Sequence, residues 1–93
     1  MLWYCSYTYQ PGVTAEQVGR RFVERHDAGA NHPDRIRHVY SLAGGGAGFL
    51  LVEADDPNLL NEMLVPYMDL VSWDVRAIVE DDYDRIVERY RQR

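Results

Sequence analysis

One cysteine, Cys5, occurs in the whole chain, so no intrachain disulfide can close and no multi-cysteine metal knuckle can form. That scarcity fits a reducing, cytoplasmic setting. Lysine is absent altogether: all ten basic residues are arginine, a bias that assigns no function by itself. Positive charge is also scarce, because the formal net charge is −5, and residues 53–84 carry ten acids against the single Arg76. Only residues 85–93 reverse the balance, with four arginines against Glu88. A chain so poor in basic surface is not expected to bind nucleic acid. No stretch approaches the roughly 20 apolar residues that span a bilayer, and residues 1–10 lack the basic start of a signal peptide, so no membrane association is expected.

What is present is an ordinary globular balance, 46% hydrophobic and 27% charged over 93 residues, which predicts one domain over residues 1–93. Residues 2–9 are aromatic-rich and uncharged, as in a buried strand. Gln10, Pro11 and Gly12 break it, and Thr14 with Gln17 has the form of a capping box for a helix that starts at Ala15 and stops at Gly29. Ala15, Val18, Gly19, Phe22 and His26 share one face of that helix. Residues 36–42 and 49–54 read as two strands joined by Gly44, Gly45 and Gly46. These glycines lead into a strand rather than a helix, so they indicate a hairpin and not a phosphate loop. Asp56 and Pro57 then begin a second helix, which Pro66 should break near Leu64 and Val65. Residues 71–79 form the fourth strand, and Asp82 caps a C-terminal helical extension within residues 80–93.

The order βαββαβ, with right-handed crossovers, predicts an α+β fold: a ferredoxin-like antiparallel sheet with both helices on one face. Residues 48–75 add a demand. Phe49 and Leu51 alternate with Leu50 and Val52, so the third strand is apolar on both faces, and the chain has too few helices to cover both. A second copy of the same chain supplies the cover, giving a homodimer with an enclosed interior.

Leu2 and Trp3, Pro11-Gly12, Phe49 to Glu53 before Asp55-Asp56-Pro57, Leu59-Leu60, and Asp69-Leu70-Val71 resemble a small bacterial family known only as a domain of unknown function. The resemblance covers roughly residues 1–79; Pro66 and the arginine-rich tail depart from the pattern. That family resembles the dimeric α+β barrels, which include cofactor-independent antibiotic-biosynthesis monooxygenases and muconolactone isomerases. The resemblance implies a dimeric barrel without a metal or nucleotide cofactor, and it carries over no catalytic residue.

Candidate ligand-binding residues come from charges and aromatics inside strands. Glu53, Asp74 and Arg76 fall on the open face if Val71, Trp73 and Val75 face the helices together with Leu50 and Val52. There a desolvated carboxylate could act as a base and Arg76 could hold an anionic group, although an ion pair or exposure at a strand end is the commoner outcome. His38 and Tyr40 share one parity of the second strand, Arg37 and Val39 the other, and both choices stay open. Trp3, Tyr7 and Tyr9 form a possible aromatic wall, with Tyr4 on the opposite parity; packing is the commoner role for such residues. His26, His32 and His38 match no zinc spacing, and Cys5 reads as an inert buried thiol.

The function expected is a homodimer that binds, and as an open question transforms, a small apolar or aromatic molecule. The alternative is a structural or regulatory interaction module whose C-terminal helix contacts another protein. No motif fixes a reaction.

Overall fold

A computed structural model describes residues 1–91, in the order β1 (Leu2–Tyr9), α1 (Ala15–Asp27), β2 (Ile36–Ser41), β3 (Ala47–Glu53), α2 (Pro57–Leu64), β4 (Val71–Ile78) and α3 (Tyr83–Arg91). Short 3₁₀ turns occupy Pro33–Arg35 and Val65–Tyr67. Residues 92–93 of the expected C-terminal extension lie outside the described residues. The four strands make one antiparallel sheet in the order β2-β3-β1-β4. This α+β topology is compatible with the ferredoxin-like arrangement. Among the described residues no helix is long and apolar enough to cross a membrane.

Local chemistry sets the helix ends. Thr14 Oγ1 accepts from the Gln17 amide at 3.2 Å while Gln17 Oε1 accepts from the Thr14 amide at 2.8 Å, the reciprocal capping box expected for α1. Gly29, at φ 71°, ends it. Asp56 caps α2 through the Asn58 amide at 2.9 Å, and Asp82 caps α3 through the Asp84 amide at 2.8 Å.

The break at Pro66 has a structural product. Beyond Leu64 the chain tightens into a 3₁₀ turn, so the Met68 amide bonds the Val65 carbonyl instead of reaching back to Leu64. The Leu64 carbonyl is thereby released and accepts the Trp73 indole N–H at 2.9 Å. The Pro66 carbonyl accepts from Arg21 of α1 at 2.6 Å.

Strand limits differ slightly from the sequence reading. β3 begins at Ala47 rather than Phe49 because Gly48 is paired, standing opposite Tyr7 on one side and Ser41 on the other. β4 stops at Ile78, where its partner β1 runs out at Leu2. A bulge between Ile36 and His38 makes Arg37 an extra residue in β2, so Ile36 and Val39 come to the same face.

The helix-covered face carries the core. Cys5, Val52 and Ala54 pack with Leu60, Met63 and Leu64 of α2, and Tyr67, Leu70 and Val71 form a second cluster with Tyr7, Tyr9, Val13 and Val18 around them. Trp73 touches both clusters. α1 contributes no fully buried residue. It hangs from one side, through Val18, through Arg21 to Pro66 and Asp69, and through Asn31 just beyond it, whose amide reaches Phe22 and Tyr67.

Candidate functional site

Alternation and register divide the sequence-derived candidates between the two faces of the sheet. Trp3, Tyr7 and Tyr9 share the parity of Cys5, and their β4 neighbours Ala77, Trp73 and Val71 share it too. They lie on the helix-covered side. Trp3 donates its indole N–H to the Ala54 carbonyl at 2.9 Å, a packing role that closes the end of β3. Glu53, Asp74, Arg76, His38 and Tyr40 fall on the uncovered side with Tyr4, Phe49 and Leu51. The candidates therefore do not converge: Glu53, Asp74, Arg76, His38 and Tyr40 share one face, and Trp3, Tyr7 and Tyr9 belong to the other.

On the uncovered face an aromatic row crosses the sheet. His38 and Tyr40 lie 5.9 Å apart by ring centres, Tyr40 stacks on Phe49 at 4.8 Å, and Phe49 meets Tyr4 at 5.1 Å. Beside the row Arg76 Nη2 stands 3.4 Å from Asp74 Oδ2, with both side chains more than half exposed. Glu53 is spatially apart from that pair and accepts from the Met1 amino group at 3.3 Å, which also bonds Asp55 at 3.0 Å. The amino group holds the Asp55 carboxyl below its ordinary value, first through the hydrogen bond and then through its charge. Solvated ion pairs of this kind contribute little to stability.

The helix-covered face holds an apolar cavity of about 280 Å³ between α1 and the sheet. Its floor is Tyr7, Leu50, Val39 and Trp73; its roof is Ala15, Val18, Gly19 and Phe22 of α1; Met63 and Tyr67 close the side toward α2. Phe22 and Val39 are 45% and 54% exposed, which puts the opening between α1 and β2, where no hydrogen bond or ion pair crosses among the described residues. The bulge at Arg37 is what turns both Ile36 and Val39 toward this space.

The lining is apolar with a few neutral polar groups. Asn31, 6% exposed, accepts from the Tyr67 hydroxyl at 2.6 Å and donates to the Phe22 carbonyl at 2.9 Å. Burial pushes the Tyr67 pKa up, opposed by the Arg25 charge and the Asn31 hydrogen bond, so the phenol keeps its proton and donates. Among the described residues no Asp, Glu, Lys, Arg or His lines the cavity. Its polar groups include the hydroxyls of Tyr7, Tyr9, Ser41 and Tyr67 and the amide of Asn31, set in an otherwise apolar lining.

The sequence puts Ala15, Val18, Gly19, Phe22 and His26 on one helical face, and the first four of these form the roof. The signal was present: two small residues, Ala15 and Gly19, in an otherwise apolar stripe leave volume unfilled. Among the described residues no group of three or more His, Cys, Asp or Glu converges. Cys5 is fully buried, and desolvation raises its pKa from 9.0 to about 11.

No curated protein matches the chain. The profile of a family described as "Domain of unknown function (DUF3303)" matches residues 1–87, nearly the whole sequence, and the chain belongs to that family.

Proposed function

We propose that this protein is a homodimeric member of the dimeric α+β barrel group that binds a small apolar or aromatic molecule in the cavity beneath α1, without a metal or nucleotide cofactor. The cavity itself carries the reading: an apolar space of about 280 Å³ lies just below the range of small-molecule sites, about 300–1,000 Å³, and so suits a small ligand. Well-packed interiors hold few voids larger than a water molecule. The presence of a single cysteine, Cys5, in the sequence is the usage that supports a reducing, cytoplasmic compartment.

The uncovered sheet face supports the dimer. Tyr40 is 49% exposed beside the Phe49 and Tyr4 rings, and such an apolar face is commonly covered by another sheet. The chain is also extended: its radius of gyration is 16.0 Å, against roughly 12 Å for a compact chain of this length. α3 accounts for this, since none of its residues is buried and Val79 before it is 90% exposed. An arm of that kind lies across a second copy.

Two measurements test the reading. Isothermal titration with naphthalene should show binding that weakens in Leu50→Phe, which narrows the floor without changing the circular dichroism spectrum; equal binding by both proteins, or none by wild type at its solubility limit, removes the cavity assignment. Sedimentation at micromolar concentration should give a dimer, converted to monomer by Phe49→Asp; a monomeric wild type removes the dimer.

A second reading is favoured by the exposed Tyr83 and Ile86 of α3, 81% and 39% exposed: an interaction module that uses this helix to hold another protein. Truncation after Glu80 separates the two. Loss of a partner other than a second copy of this chain, with the dimer and naphthalene binding retained, favours the module.

A further inference from the structure

The cavity beneath α1 contains a polar group with no structural task. The Tyr7 hydroxyl takes part in no hydrogen bond among the described residues, whereas the Tyr67 hydroxyl on the same lining is bonded to Asn31. The position of Tyr7 is nonetheless closely determined. Its ring meets Trp73 edge-on at 5.7 Å and stacks on Tyr9 at 6.3 Å. It stands opposite Gly48 in the register, and its phenol end lies so near that residue that a β-carbon there would overlap both the phenol and the Tyr40 carbonyl.

Gly48 thus keeps the strand surface clear so that the phenol can lie across β3 toward β2. Ser41, the partner of Gly48 on β2, lines the same cavity. A neutral hydroxyl can donate one hydrogen bond and accept others. No lining residue among those described is charged, and the Arg25 charge reaches the lining at Tyr67, so an ion elsewhere in the space would be buried among neutral side chains, which is unfavourable.

We propose that Tyr7 orients the ligand, and that the ligand class is an uncharged, largely apolar molecule bearing one hydrogen-bonding oxygen, a ketone or hydroxyl, met by the Tyr7 hydroxyl. This rests on the cavity being the binding site. It adds a chemical class and a positioning residue to that reading.

Titration of wild type and Tyr7→Phe with three two-ring probes tests it: naphthalene, 1-tetralone and 1-naphthoate. Wild type should bind 1-tetralone more tightly than naphthalene, and 1-naphthoate at least tenfold more weakly than 1-tetralone. Tyr7→Phe should weaken 1-tetralone roughly three- to tenfold, the range for one neutral hydrogen bond, and leave naphthalene unchanged. The Tyr7 ring resonances should also shift differently with 1-tetralone and naphthalene. If Tyr7→Phe leaves 1-tetralone binding intact, or weakens both neutral probes equally, the role of Tyr7 is wrong while the cavity stands. If 1-naphthoate binds as well as 1-tetralone, the neutral class is wrong. If no probe binds wild type, both the class and the cavity fall.

Discussion

Tyr67→Phe removes a single oxygen from the protein and should destabilise it more than a typical hydrogen bond is worth. The Tyr67 side chain is 8% exposed and its acceptor Asn31 6%, and the 2.6 Å bond between them joins the segment after α1 to the turn that follows α2. An average hydrogen bond contributes about 1 kcal/mol net, because the unfolded chain bonds water instead. Here the substitution leaves the Asn31 carbonyl oxygen in place, buried and without its donor, so the relevant cost is desolvation, about 1–3 kcal/mol. The phenyl ring keeps its packing with Trp73, 6.4 Å away edge-on, so no cavity term is added. For a domain of this size the loss corresponds to a fall in Tm of roughly 4–20 °C. Urea unfolding measures it directly, as a lower midpoint with an unchanged m value. In a double-mutant cycle with Asn31→Ala, the two changes should couple by about 0.5–3 kcal/mol. A Tyr67→Phe protein within about 0.3 kcal/mol of wild type would refute the reasoning, since it would mean that water from the adjoining cavity reaches Asn31 and replaces the lost donor.

Two glycines should respond in opposite senses to alanine. At Gly19, inside α1, a β-carbon meets nothing within 4 Å, so Gly19→Ala should stabilise the helix by about 1 kcal/mol; at Gly48 it meets the Tyr40 backbone and the Tyr7 ring, so Gly48→Ala should destabilise by about 1–3 kcal/mol, both readable by thermal melting. Arg21 bonds both oxygens of Asp69 at 2.8 and 2.9 Å and holds its carboxyl below the ordinary value. The stabilisation is therefore complete above an unfolded pKa of about 4 and is lost as pH falls through the lower folded value. Asp69→Asn should flatten that part of the acid unfolding curve, and an unchanged curve counts against the pair. Cys5, whose pKa burial raises from 9.0 to about 11, should resist alkylation in the folded protein at pH 8. Its stabilising neutrality is lost as pH climbs from 9.0 toward about 11, so Cys5→Ser should change the alkaline limb of the stability profile.

The fold was legible where short-range chemistry decides it. Thr14 with Gln17, Asp56 with Pro57, and three successive glycines before a strand specify caps and a turn within a few residues, and the structure has each of them. Pro66 announced the helix break, though not that the released carbonyls would bind Trp73 and Arg21. What failed to show was parity. A single bulge at Arg37 reverses which β2 residues meet the helices, and it depends on pairing across strands rather than on the local sequence. Trp3 and Tyr7 stand beside Glu53, Asp74 and Arg76 among the sequence candidates, yet β1 pairs with β4 so that Tyr7 faces Trp73 and Tyr4 faces Arg76. The cavity itself was hidden because a sequence records which residues are apolar, not how closely two elements approach. Ala15 and Gly19 mark the gap only once α1 is known to lie over Leu50 and Val39.

The one-sided suspension of α1 has a kinetic consequence. Its anchors, Arg21 at Pro66 and Asp69 and the Asn31 link to Tyr67, all stand on the far side from β2, while the strands and α2 hold the fully buried core without it. Swinging the free edge of the helix breaks no bond of the sheet, so the rate at which the cavity admits or releases a molecule can change without altering global stability. Amide exchange in α1 should then be faster than in β1 and β3. Substitutions at Phe22 or Val39 become a means of tuning residence time in a protein whose melting temperature stays fixed.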